Sequence, residues 1–169
     1  MERNNLWAPW RMEYIRNLDK EEGCFMCRYY ENPDLDGENF VLWRTGRSLV
    51  MFNRFPYNNG HLLISPVRHI AELADTDDRE LLELGKLTRD CQAVLTEAIQ
   101  PHGFNVGMNF GRCAGAGLPG HLHIHVVPRW DGDTNYMHVC SNTDVVSQSM
   151  TELYQMLKEI STEKNLPNL

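Results

Sequence analysis

The chain is patterned in two ways: five apolar runs of strand length bounded by Gly, Pro or Asn, and two longer stretches with apolar residues every three or four positions. Phe40-Val41-Leu42-Trp43 and Ser48-Leu49-Val50-Met51-Phe52 flank Arg44-Thr45-Gly46-Arg47, where a turn-forming glycine predicts a hairpin. A third strand is expected over Gly60-His61-Leu62-Leu63-Ile64-Ser65, after the Pro56-Tyr57-Asn58-Asn59 turn and stopped by Pro66. Leu81, Leu84, Leu87, Cys91, Val94, Leu95 and Ala98 then mark one face of an amphipathic helix of about 20 residues. The acidic residues of Asp75-Thr76-Asp77-Asp78-Arg79-Glu80 favour its N-terminus. Strands return at Phe104–Phe110 and over the run that begins at His121, and a last helix is expected near Ser149–Thr162, with Leu153, Met156, Leu157 and Ile160 on one side. One long helix set among neighbouring strands predicts an α+β fold with an antiparallel sheet rather than a βαβ series.

The strictest alternation is His121-Leu122-His123-Ile124-His125-Val126-Val127. Successive strand residues point to opposite faces, so the three imidazoles are expected on one open face and Leu122, Ile124 and Val126 on a buried one. Such a row suits donors along a polyphosphate, or a central nucleophile with a supporter on each side. A single zinc ion held by all three histidines is disfavoured, because residues i and i+4 of a strand lie roughly 13 Å apart. The preceding loop carries Gly111, Gly115, Gly117 and Gly120, whose backbone amides can approach a ligand and form an anion-binding nest. A glycine-rich loop also serves as a plain flexible connection; the adjoining histidines favour the phosphate reading.

Length and composition constrain these ideas. At 169 residues, 42% hydrophobic and 23% charged, the chain fits a single soluble domain. A formal net charge of −7 argues against a nucleic-acid polymer as partner, since that needs a broad basic surface, and leaves an anionic ligand to a local site. The sequence shows neither a membrane-spanning apolar run nor a signal peptide at Met1-Glu2-Arg3-Asn4-Asn5, so the expectation is a cytoplasmic protein. Cys24, Cys27, Cys91, Cys113 and Cys140 form an odd set with one close pair, which fits reduced thiols or a metal better than a disulfide framework. In Cys24-Phe25-Met26-Cys27 the spacing offers half of a zinc site, which wants four N or S ligands. Buried thiols and a redox pair are the other readings, the redox pair without a thioredoxin-like context. The aromatic segment Leu6–Ile15 reads as a packed arm, laid over its own subunit or against a second one. The last residues, Glu163–Leu169, are expected to fray.

Together these residues resemble the histidine triad (HIT) superfamily, whose signature of three alternating histidines followed by apolar residues is matched by His121–Val127. Asn58-Asn59-Gly60-His61-Leu62-Leu63-Ile64-Ser65-Pro66-Val67-Arg68-His69 resembles its second signature, a Gly-His strand ending in Pro and then His. Residues 53–61 and 125–135 look most like the bacterial diadenosine tetraphosphate phosphorylase and hydrolase-like branch. The resemblance implies a HIT-like antiparallel sheet with the long amphipathic helix and a C-terminal helix, forming a homodimer with sheets joined across the interface. It covers nearly the whole chain, which is expected to form one domain, 1–169, made of an N-terminal arm (1–38) with the Cys-x-x-Cys, a catalytic core (39–130) and a C-terminal extension and helix (131–169).

By the same resemblance, the chain would cleave a dinucleoside polyphosphate such as diadenosine tetraphosphate, or another nucleotidyl ester, at an α-phosphate. His123 would be the nucleophile of a covalent nucleotidyl-histidine intermediate, resolved by water or inorganic phosphate; a neutral imidazole is chemically competent for this. His125 would donate to phosphate oxygens, His121 would orient the site or bind metal, and Asn109 would contact phosphate. Asn53 stands where many members carry an Asp for the ribose hydroxyls. Gly117 stands where many carry Gln or Ser, so substrate contact there would come from backbone, water or another side chain. Losing one preorganised donor typically costs roughly 10²–10³ in rate. The resemblance completes a structural zinc set of Cys24, Cys27, His69 and His121, with no organic cofactor. Phosphoramidase or general nucleotidyl hydrolase activity, and a nucleotide-binding regulatory module with weak catalysis, remain alternatives.

Overall fold

The computed structural model describes residues 23–133 and 148–169. The aromatic arm read at 6–15, Cys140 and the Thr134-Asn135 end of the resemblance lie outside the described residues.

Five strands form one antiparallel sheet: β1 (Val41–Arg44), β2 (Ser48–Phe52), β3 (Leu62–Pro66), β4 (Gly103–Met108) and β5 (Ile124–Arg129). Their spatial order is β1-β2-β3-β5-β4, every neighbour pair antiparallel. The expected hairpin closes as its turn predicts. The Thr45 hydroxyl accepts the Ser48 amide at 2.8 Å, and Trp43 pairs with Val50 beyond a bulge in β1.

Alternation along the strands divides the core. Val50, Phe52, Leu62, Ile64, Ile124 and Val126 face the long helix α2 (Asp78–Ile99) and the last helix α3 (Met150–Glu163), which bring Leu84, Leu87, Cys91, Val94, Leu95, Leu153, Tyr154 and Leu157. On the opposite face Leu49, Met51 and Leu63 pack against Met26 and Tyr29 of a short helix α1 (Phe25–Glu31). His125 pairs with Leu63 across β5 and β3, which puts its side chain on this second face.

Helix α2 begins as its acidic start predicts. Asp77 accepts the Glu80 amide while the Glu80 carboxylate accepts the Asp77 amide, a reciprocal cap; the helix ends at Gln100 in a left-handed conformation, before Pro101. Glu80 does more than complement the helix dipole. It is buried and also receives the Arg68 guanidinium at 2.6 and 2.7 Å, which holds its carboxyl down at about 2.

Two expectations need correction. The C-terminus does not fray: the Leu166 amide bonds the Ser161 carbonyl, the Asn168 amide bonds the buried Asp90 carboxylate at 2.7 Å, and Arg89 donates to the Asn168 carbonyl. A carboxylate out of solvent needs donors, and the tail supplies one. Nor do the three histidines line an open strand face. The ladder starts only at Ile124, because the Leu122 amide turns aside to the Ile70 carbonyl at 2.6 Å, and His121 and His123 are 2% and 6% exposed. Among the described residues no helix is long and apolar enough to cross a membrane.

Candidate active site and metal centre

Each imidazole of the run is fixed by a bond that identifies which ring nitrogen carries hydrogen. A backbone carbonyl can only accept, so His121, with Nε2 2.9 Å from the Pro66 carbonyl, must donate there and keep a lone pair on Nδ1. That lone pair faces the Cys24 and Cys27 sulfurs at 3.1 and 3.6 Å. His69 brings its Nδ1 to 3.3 Å from the Cys27 sulfur, and the four ligand atoms all lie within 4.8 Å of one another.

Local structure explains the convergence. Cys24 caps helix α1 and Cys27 lies in its first turn, so a two-residue spacing turns both thiols the same way. His69 sits between Arg68, whose guanidinium is tied to Glu80 and the Asp75 carbonyl, and Ile70, whose carbonyl holds Leu122. Four soft or borderline donors at this spacing suit tetrahedral zinc, whose bonds of about 2.0–2.3 Å put neighbouring ligands roughly 3.3–3.8 Å apart. The Pro66 carbonyl gives His121 the outer partner typical of a metal-binding imidazole. Burial, then the neighbouring Cys24, raises the Cys27 thiol to about 11, and a bound cation is what would ionise it. The described cysteines are free thiols.

His123 points its Nδ1 at the His121 carbonyl, 2.7 Å away, and so donates there. Its Nε2 is therefore an unprotonated lone pair, and burial lowers the ring below the ordinary histidine range.

The partner of His125 is a residue to which the sequence reading gave no role. His61 is fully buried, and its Nδ1 accepts the Tyr57 amide at 3.1 Å. The Asn53 side-chain amide also faces that nitrogen at 3.3 Å, in an orientation set by its oxygen, which accepts the Phe55 amide. Nε2 of His61 must then carry the hydrogen and donate to His125 Nδ1 at 2.9 Å, leaving His125 with Nε2–H. Burial first, then His125 and His123, pushes His61 down to about 3, so it works as a neutral donor. Tyr57 stacks on His125 at 19° with centroids 5.8 Å apart, and the His123 ring follows at 4.9 Å. Gly60 admits His61 to this position: its φ is +74°, and a Cβ would meet Ile99 at 2.9 Å and Leu95 at 3.0 Å.

The structure thus gathers Asn53, His61, His123 and His125 into one group and Cys24, Cys27, His69 and His121 into another, joined through the His121 backbone. Asn109 is half-buried just beyond β4, and Gly117 is half-buried in the glycine loop, which turns at Gly111 (φ +76°) and Gly115 (φ +90°). The Asn53 side chain, expected at a ribose, here serves His61. The signal for His61 lay in the Gly-His signature itself, but its partner could be named only after β3 and β5 were paired.

A sequence profile of the HIT domain matches residues 36–132. AP-4-A phosphorylase of Mycobacterium tuberculosis is 37% identical over 158 residues, spanning 90% of this chain and 81% of that protein. Among solved structures, a hypothetical histidine triad nucleotide-binding protein from Sulfolobus tokodaii superposes with a TM-score of 0.64 at 26% identity, covering 85% of this chain and 93% of its own. A zinc-bound histidine triad family protein from Mycobacterium smegmatis has the same fold, with a TM-score of 0.69 at 20% identity, over 86% of this chain and 98% of that one. With the profile covering more than half its length and the alternating histidines at its centre, the chain belongs to the HIT family.

Proposed function

We propose that this protein is a HIT-type nucleotidyl transferase or hydrolase that cleaves a dinucleoside polyphosphate such as diadenosine tetraphosphate at an α-phosphate, through a nucleotidyl intermediate on His123. One observation carries the reading. Neighbouring rings are held in opposite tautomers, His123 with a bare Nε2 and His125 with Nε2–H. A nucleophile beside a hydrogen-bond donor is what displacement at an anionic phosphorus requires. The similarity to a mycobacterial AP-4-A phosphorylase supports the substrate class.

In the first step the His123 Nε2 lone pair forms a bond to the α-phosphorus while the bond from phosphorus to the bridging oxygen breaks. The bonding electrons leave with the departing nucleotide. The imidazole becomes cationic, and its Nδ1–H bond to the His121 carbonyl stabilises that charge. His125 donates Nε2–H to the phosphate or leaving oxygen, with Asn109 and the loop amides, the Gly117 backbone included, as further donors. Water or inorganic phosphate then attacks the phosphorus and frees His123. Cys24, Cys27, His69 and His121 would hold one structural zinc, which when bound ionises the thiols and fastens the N-terminal segment to the catalytic run. A reducing cytoplasmic setting would keep these thiols available. A homodimer with joined sheets fits β4, which ends the sheet with Asn105, Val106 and Gly107 exposed.

The direct test is His123→Ala assayed with diadenosine tetraphosphate. Turnover should vanish while nucleotide binding persists, and wild-type protein should trap labelled nucleotide on His123. Product release that requires inorganic phosphate marks a phosphorylase. Near-normal turnover by His123→Ala with zinc bound would refute the assignment.

A further inference from the structure

Two segments border the histidines, 53–61 and 129–133, and in them Asn58 and Asp133 make no direct contact with the rings described above. Four donors converge on the Asp133 carboxylate. Oδ2 accepts Arg129 Nε at 2.6 Å, Asn58 Nδ2 at 2.9 Å and the Trp130 amide at 3.2 Å, and Oδ1 accepts Arg129 Nη2 at 2.9 Å. The second arm of Arg129 reaches Asn105 on β4 at 2.7 Å, so the clamp is braced on the sheet. Asn58 is bound on every side: its amide also donates to the Pro128 carbonyl at 3.1 Å, its side-chain oxygen accepts the Asn59 amide, and its carbonyl accepts the His61 amide at 3.2 Å. The residue before it, Tyr57, supplies the amide that meets His61 Nδ1.

We propose that Asn58 and Asp133 form a positioning pair that sets the tautomer of His125, acting through the Tyr57 amide and His61. This rests on the roles given above to His123 and His125. What the pair controls is where the hydrogens lie, not where the rings lie. With the Tyr57 amide aimed at Nδ1, His61 carries its hydrogen on Nε2, and His125 must present Nε2–H. Once that amide drifts, only the longer Asn53 contact at 3.3 Å opposes a hydrogen on Nδ1, and His61 can populate the Nδ1–H form. Its Nε2 then accepts from His125 Nδ1–H, and His125 Nε2 becomes a lone pair. The rings need not move, yet a lone pair would face an anionic phosphate oxygen where a donor is required. The carboxylate suits its place because it offers acceptors alone. An amide at 133 would turn an N–H₂ toward Arg129 or Asn58, donor against donor.

The pair touches no reacting atom in this scheme, so its removal should lower kcat more than it alters KM. Loss of one preorganised donor costs roughly 10²–10³ in rate, and a mixture of tautomers costs part of that. Asn58→Ala and Asp133→Asn are each expected to lower kcat on diadenosine tetraphosphate at least about tenfold, part of that same cost, with KM little changed. The double variant should be no worse than the weaker single variant, because both break one path. Nitrogen-15 spectra of histidine-labelled protein read the tautomer without turnover: His61 should show protonated Nε2 and bare Nδ1 in the wild type, and averaged shifts in both variants. Trp43→Phe, which breaks a buried bond to Ser161 in the helix-facing core, should lower the melting temperature without altering the His61 shifts.

Should both variants melt earlier yet keep wild-type kcat and His61 shifts, the pair is only a structural tie and the proposal fails. If the His61 shifts respond while His123→Ala retains turnover, the coupling stands and the assigned nucleophile falls.

Discussion

Mild acid should weaken this fold through His61, by an amount that follows from its burial. The ring is wholly out of solvent and held neutral by two donors on Nδ1, with its proton affinity lowered from 6.5 to about 3. Below pH 6.5 the unfolded chain binds a proton that the folded chain refuses. The unfolded state then binds more protons, so stability falls as pH falls, across the window from 6.5 down to about 3. The slope is about 1.4 kcal/mol per pH unit for one such group. From pH 6.5 to pH 5 it removes about 2 kcal/mol, a large share of an ordinary domain's stability. Urea unfolding at pH 7.5, 6.5, 5.5 and 5.0, with zinc kept saturating, would measure it against His61→Gln, which lacks the titrating ring. The variant starts from a lower stability because a buried ring is lost, but its curve should be flatter than the wild type's by that slope. Parallel curves for the two proteins would refute the claim that His61 is a buried neutral donor.

Other outcomes follow from the same geometry. Cys27→Ser should remove stoichiometric zinc, measured by metal analysis of the purified protein, and lower the melting temperature to that of chelator-treated wild type; zinc retained in full would exclude Cys27 as a ligand. Gly60→Ala should cost about 1–3 kcal/mol from its left-handed backbone alone, with more from contact with Ile99 and Leu95, read by denaturant unfolding. An unchanged midpoint would show that the Gly-His turn relaxes freely. If the proposed homodimer joins its sheets at β4, light scattering should find the wild type dimeric and Val106→Lys monomeric, and a variant as dimeric as the wild type would place the interface elsewhere.

The elements that were legible in the sequence are those governed by short-range period. The hairpin turn at Thr45, the capped start of α2 and the α3 stripe each depend on residues within a few positions of one another, and the structure has them close to where the pattern puts them. The tail was misread for the opposite reason. Its order depends on Asp90, 78 positions from Asn168, which no local pattern reports. The histidine run was half legible: alternation correctly put Ile124 and Val126 into the core, but a bond from Leu122 to Ile70 drew the first two histidines off the ladder and into the interior.

By itself the sequence determined that alternating imidazoles would follow a glycine loop, that their run would pass into an antiparallel sheet, and that two cysteines two residues apart would offer half of a zinc site. Only the tertiary structure decided which nitrogen of each ring is bare. That choice comes from carbonyls and amides delivered by other strands and loops: Pro66 to His121, Tyr57 to His61, and His61 in turn to His125. A tautomer is set by what stands opposite the ring, and in a folded chain that neighbour is chosen by strand pairing and loop closure across dozens of residues.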